Sequence, residues 1–168
     1  MLRMLILADL HLSDDKYAIG DQLLTSILAT AYRESCGVIV LDGDVWDERH
    51  LPPIRILLLI RKHLLKWAKE GFHVYWVRGN HEISSKSKPE QSFISFFDGV
   101  HERLHIINTP QFSSFGTDVG AWFVPWYPPE QIIDIYRGFA EQASNTTWAR
   151  IKLLFSHRSE EHTSELQS

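Results

Sequence analysis

Three short apolar runs, "MLILA" (4–8), "VIVL" (38–41) and "HVYWV" (73–77), are separated by two stretches with helical periodicity. This alternation narrows the possible folds more than any other feature of the chain. Apolar runs of four or five residues with no polar alternation suit strands buried on both faces of a sheet, the first run included. Between them, "GDQLLTSILATAYRESCG" (20–37) spaces Leu23, Leu24, Ile27, Leu28 and Ala31 on one helical face, with Gly37 as the expected stop. The second helix, "PPIRILLLIRKHLLKWAKEG" (52–71), opens on prolines, carries a periodic apolar stripe and ends at Gly71. Strand, helix, strand, helix, strand is the order that builds right-handed parallel βαβ units, so the expected class is α/β with a parallel βαβαβ core. Beyond it, "SSKSKPEQS" (84–92) reads as a loop and 93–97 as a helical turn. Strands are expected at 104–107, 121–124 and 151–155, and a helix at about 130–143.

Composition excludes several functional classes. At 168 residues and 44% hydrophobic, the chain can bury one core. A lone cysteine, Cys36, forbids an internal disulfide and fits a reducing, cytoplasmic setting. No apolar run, 56–60 included, approaches the ~20 residues needed to span a bilayer. Asp9 interrupts the apolar opening before a signal-peptide core is complete. A net charge of -4 gives no broad electrostatic case for nucleic acid.

Each of the three core strands runs into polar residues of one kind. The first leads to Asp9-Leu10-His11, the second to Asp42-Gly43-Asp44-Val45-Trp46-Asp47, and the third to Gly79-Asn80-His81-Glu82. Ligands of open parallel sheets bind beyond the carboxyl ends of the strands, so distant stretches deliver carboxylates, imidazoles and an amide to one rim. Alternation along an extended segment would point Asp9 and His11 to the same side. Oxygen and imidazole donors without cysteine suit manganese, iron or zinc, and the central Asp44 is placed to bridge two ions. Gly43 and Gly79 each precede a donor, where a sharp turn off a strand needs freedom in φ. Taken singly, Asp9 and His11 read as a loop pair, Asp44 and Asp47 as a turn or cap, and Asn80 as a left-handed turn. His50, His63, His73, His101 and His105 fit no motif. Arg55, Arg61, Lys62, Lys66 and Lys69 read as a solvated helix face, and Lys86 and Lys88 as solvated loop residues.

"DLH", "GDVWD", "GNHE" and the strand-end His157, in that order, resemble the successive motifs of the calcineurin-like metallophosphoesterase superfamily. The resemblance implies an α/β sandwich with two divalent ions at the strand ends, manganese first. It assigns Asp9, His11 and Asp44 to one ion, and Asp44, Asn80 and His157 to the other. It makes His81 a general acid or hydrogen-bond donor to the phosphoryl group, and Asp47 the acidic residue that orients His81. Many members carry Asp where this chain has Glu82. Within the superfamily, "GDVWDERHLPP", "GFHVYWVRGNHE" and "WFVPWYPPE" are most similar to the SbcD-type DNA repair nucleases and their phage recombination relatives. That likeness implies DNA as substrate, manganese-dependent phosphodiester cleavage and an SbcC-type coiled-coil ATPase as partner. The alternatives are a phosphatase or phosphodiesterase acting on small molecules or phosphoproteins, and a scaffold that kept the fold without the chemistry.

The superfamily normally adds a Gly-His-x-His motif that completes both ion sites, and none follows His157. His162 has neither the preceding glycine nor a second histidine, and is not counted. Residues 158–168, "RSEEHTSELQS", instead resemble a translated sequencing adapter. The expected division is therefore a truncated phosphoesterase domain over 1–157 and a non-native tail over 158–168. Weak ion binding and little turnover are expected of this exact chain.

Overall fold

Alternating faces explain the architecture. The computed structural model describes residues 2–47, 51–84 and 91–157. His50, Lys86, Lys88 and the tail 158–168, His162 included, lie outside the described residues. In chain order the elements are β1 (Met4–Leu7), α1 (Tyr17–Arg33), β2 (Val38–Asp42), α2 (Ile54–Lys69), β3 (His73–Val77), a 3-10 turn (Phe93–Phe97), β4 (Leu104–Ile107), β5 (Gln111–Phe115), β6 (Val119–Val124), α3 (Pro129–Asn145) and β7 (Ile151–Ser156). The first four strands form one parallel sheet in the order β1-β2-β3-β4, and β5-β6-β7 form a second sheet.

In β2, Ile39 and Leu41 point to α1 and α2, where they meet Leu24, Ile27, Leu59, Ile60 and Trp67. Val38 and Val40 point the other way and meet Ala121, Phe123 and Phe155 of the second sheet. The same alternation splits β3, with Val74 and Trp76 under the helices and Tyr75 and Val77 between the sheets. Both strands are buried on both faces, which is why their sequences show no polar alternation. Stacked rings line the inter-sheet core, with Tyr75 4.8 Å from Phe123 and Phe123 4.9 Å from Phe155. The parallel βαβαβ core expected from the strand–helix order, and the α/β sandwich implied by the resemblance, are the fold observed.

Several local expectations need correction. β1 is an edge strand, not one buried on both faces. Leu5 and Leu7 pack toward the helices and Met4 toward the second sheet, but Ile6 is 54% exposed. Leu23 is also exposed, because α1 turns Leu24, Ile27, Leu28 and Ala31 inward. α1 stops before Gly37: Ser35 takes the left-handed conformation (φ 54°) and the Cys36 N–H donates to the Ala31 carbonyl. Gly71 does end α2 as expected, at φ 103°. β5, "QFSSF", was not expected, because its serines and glutamine give too weak an apolar signal. It forms an antiparallel hairpin with β6 through Gly116 (φ 67°). None of the helices is long and apolar enough among the described residues to cross a membrane.

Candidate metal centre

The loop after β1 does not run on in extended form to the rim. Asp9 and His11 both adopt left-handed backbone conformations, φ 54° and 45°, so the alternation expected of this segment is absent. The segment is instead zipped onto the loop after β2. Asp9, His11 and Leu12 donate their backbone N–H groups to the carbonyls of Gly43, Asp44 and Val45, at 3.2, 3.1 and 2.9 Å. Asp44 is itself left-handed (φ 50°) after Gly43 (φ 82°). The three non-glycine left-handed residues, Asp9, His11 and Asp44, cost conformational energy, which the ladder between the turns offsets. The outcome puts Asp9, His11 and Asp44 within reach of a single ion. One donor atom from each lies within 4.8 Å of the others.

Glu82 fastens the second turn to the third. Its carboxylate has no solvent exposure and accepts three backbone N–H bonds, from Val45 at 2.6 Å, Gly79 at 2.6 Å and Asp44 at 3.1 Å. Burial, followed by the charge of Asp44, pushes the Glu82 carboxyl up to about 7. The close approach has a further requirement. A Cβ on Gly79 would lie on the Asp44 carboxylate and backbone nitrogen, so only glycine lets the two turns meet. Trp46 closes the same seam, donating its indole N–H to the His81 carbonyl at 3.2 Å.

His157, at the carboxyl end of β7, enters from the second sheet over Gly43. A Cβ on that glycine would collide with the imidazole ring. The Nε2 of His157 is 3.2 Å from Asp44 Oδ2 and 3.2 Å from Asn80 Oδ1, and its Nδ1 is 2.7 Å from the Asp42 carbonyl. All three neighbours are acceptors, which favours the protonated ring, and an ion at Nε2 would take the place of the proton there. Burial alone would lower its affinity for a proton, but the hydrogen bond and charge of Asp44 outweigh this and push it up to about 9. Asp44 is correspondingly held low: His157 and His81 overcome the penalty of burying its carboxylate.

His81 donates its backbone N–H to Asp44 Oδ1 at 3.1 Å, and its Nε2 is 3.7 Å from Asp44 Oδ2. Its Nδ1 faces the backbone carbonyl of Asp47 at 2.5 Å. The Asp47 carboxylate was expected to orient His81, and here the structure differs. That carboxylate turns to His11, with Oδ1 3.3 Å from Nδ1, because the backbone of Asp47 occupies the position beside His81. Sequence reasoning also passed over Asp42. Burial pushes its carboxyl up to about 6, and its buried Oδ1 has no hydrogen-bond partner among the described residues. Its position at the end of β2 was the signal that could have marked it.

The donors fit divalent ions. Carboxylate oxygens and imidazole nitrogens, with one amide oxygen and no thiolate, suit hard to borderline cations. Asp44 is shared between the group with Asp9 and His11 and the group with Asn80 and His157, so all seven residues singled out from the sequence meet on this rim. The calcineurin-like phosphoesterase family model matches residues 2–167. No curated protein matches the chain. The family comprises metal-dependent phosphoester hydrolases that typically bind two divalent ions. With nearly its whole length matched, the chain belongs to the calcineurin-like phosphoesterase family.

Proposed function

We propose that this protein is a two-metal phosphoester hydrolase acting on DNA phosphodiesters, in the manner of SbcD-type nucleases. The observation carrying the hydrolase reading is the position of His157 Nε2, 3.2 Å from the donor atoms of both Asp44 and Asn80. Three residues from three strand ends meet there in a pattern that packing alone does not require. Asp9, His11 and Asp44 would hold one ion, and Asp44, Asn80 and His157 the other, with manganese as the first choice and iron or zinc also suited. When bound, such a pair supplies an activated water and neutralises charge developing on the phosphoryl oxygens.

The remaining residues position and protonate. His81 is oriented through Nδ1 by the Asp47 carbonyl, which leaves Nε2 facing the Asp44 side of the rim. A protonated Nε2 donates there to the phosphoryl or leaving-group oxygen. Asp47 acts on the site through its carbonyl to His81 and its carboxylate to His11. Glu82 and Gly79 keep the turns in register so that these groups hold their spacing. DNA as substrate is supported by the likeness of "GDVWDERHLPP" and "WFVPWYPPE" to the nuclease branch. The same likeness supports an SbcC-type ATPase as partner.

The test is single-turnover hydrolysis by manganese-loaded protein of linear duplex DNA, bis(p-nitrophenyl) phosphate and p-nitrophenyl phosphate. Slow cleavage of both diesters is expected, in keeping with weak ion binding by this chain. Hydrolysis of the monoester alone rejects the nuclease reading. Protein that binds two ions in dialysis but hydrolyses none of the three esters rejects catalysis altogether and leaves a scaffold.

A further inference from the structure

The His11 ring stands between two donor groups. Its Nε2 is 4.0 Å from Asp9 Oδ1, while its Nδ1 is 3.3 Å from Asp47 Oδ1. His11, Asp47 and His81 each offer one donor atom within 4.8 Å of the others, just as Asp9, His11 and Asp44 do. The remaining ring nitrogen of His81, Nε2, lies 3.7 Å from Asp44 Oδ2. The Asp47 carbonyl facing its Nδ1 can only accept, so Nδ1 carries the hydrogen and a neutral ring keeps its lone pair on Nε2. The two imidazoles meet edge-on, with centroids 5.2 Å apart.

We propose that His11, Asp47 and His81 form an alternative seat for a borderline divalent ion, zinc foremost, which competes with the Asp9–His11–Asp44 seat for the single lone pair of His11. The inference rests on the reading of Asp9, His11 and Asp44 as a manganese seat. The two donor sets differ in kind. Two carboxylates and one imidazole favour a hard ion, whereas two imidazoles and one carboxylate favour an ion later in the divalent affinity order, such as zinc. A neutral imidazole has one lone pair, so the choice of seat is also a choice of tautomer. With Nε2 on the ion, Nδ1–H donates to Asp47, the usual carboxylate–histidine–metal relay. With Nδ1 on the ion beside Asp47, Nε2–H faces Asp9. The second arrangement occupies His81 and takes it away from phosphoryl chemistry, so zinc loading would silence the centre. His11 and Asp47 are exposed, which leaves this seat open to ions from solvent.

Equilibrium dialysis of the full chain against zinc alone and against manganese alone separates the seats, using wild type, Asp47→Asn and Asp9→Asn. Circular dichroism confirms folding of each variant. Asn at 47 still accepts from His11 Nδ1–H but is a poor ligand. Asp47→Asn should therefore weaken zinc binding by about a hundredfold or more, and manganese binding by only about tenfold through loss of the carboxylate behind the His11 ring. Asp9→Asn should reverse this order. In histidine-labelled wild type, zinc should shift the nitrogen resonances of His11 and His81 together. Unchanged zinc affinity in Asp47→Asn, or an equal loss of both ions, overturns the proposal. Failure of the parent reading looks different: Asp9→Asn would leave manganese binding intact while Asp47→Asn still weakened zinc.

Discussion

Glu82 shows how one side chain governs a centre it does not enter. It accepts N–H groups from two neighbouring residues of one turn, 37 and 38 positions away, and from Gly79 just before it. Replacing Glu82 with Gln keeps the shape but offers one acceptor oxygen and turns an NH2 toward backbone donors. Glu82→Gln should lower the unfolding free energy by about 2 kcal/mol, read from urea denaturation followed by tryptophan fluorescence. Gly79→Ala tests the neighbouring constraint. The added methyl lands on Asp44, so phosphoester hydrolysis should fall about a hundredfold even where the protein remains folded. Wild-type rates in Gly79→Ala would mean that the turns do not need to approach so closely. Asp9, His11, Asp44, Asn80, His81 and His157 stood out in the sequence because chemistry-bearing residues ended apolar strands. Glu82 did not, because the groups it holds are brought to it only by folding.

At the scale of elements, the pairing of β3 with β4 carries a titratable stack. His105 lies 4.4 Å from the Tyr75 ring and 5.5 Å from the His73 ring, and the two imidazoles approach to 3.2 Å. Burial, assisted by Arg103, holds His73 below the usual imidazole range, and burial, assisted by His73, does the same for His105. The unfolded chain therefore binds these protons more readily than the folded one. Stability from this stack is complete above the ordinary imidazole pKa of about 6.5 and drains away as pH falls toward the lowered values. Glu82 and Asp42, held up to about 7 and about 6, act in the opposite direction over the same range, so the stack is read by difference. Between about pH 7 and pH 5 the urea midpoint of wild type should fall relative to that of His105→Phe, which keeps a ring on Tyr75. A wild-type-minus-variant difference that does not change with pH would contradict the role given to the stack. The strands that carry it were legible because four or five consecutive apolar residues have few other homes. β5 was not, because Gln111, Ser113 and Ser114 become strand residues only through their pairing with β6.

For the whole molecule, family membership implies that ion binding and folding are linked. Asp44 and His157 come from different sheets, so an ion between them grips the native arrangement and not the unfolded chain. Manganese at about a hundred times its dissociation constant should add about 2.7 kcal/mol of stability. At this chain length that raises the melting temperature by roughly 5–10 °C, and chelator should reverse it. A melting temperature unmoved by manganese would argue against a metal centre at this rim. The sequence by itself determined the parallel strand–helix order and which residues reach the carboxyl edge, because both follow from short-range periodicity and from where apolar runs end. Only the tertiary structure decided that β1 is an exposed edge, that a carboxylate at 82 ties two turns together, and that Asp47 turns to His11 while its carbonyl meets His81. Those outcomes depend on which loops arrive within about 3 Å of one another, the reach of a hydrogen bond, and nothing in local sequence specifies that distance.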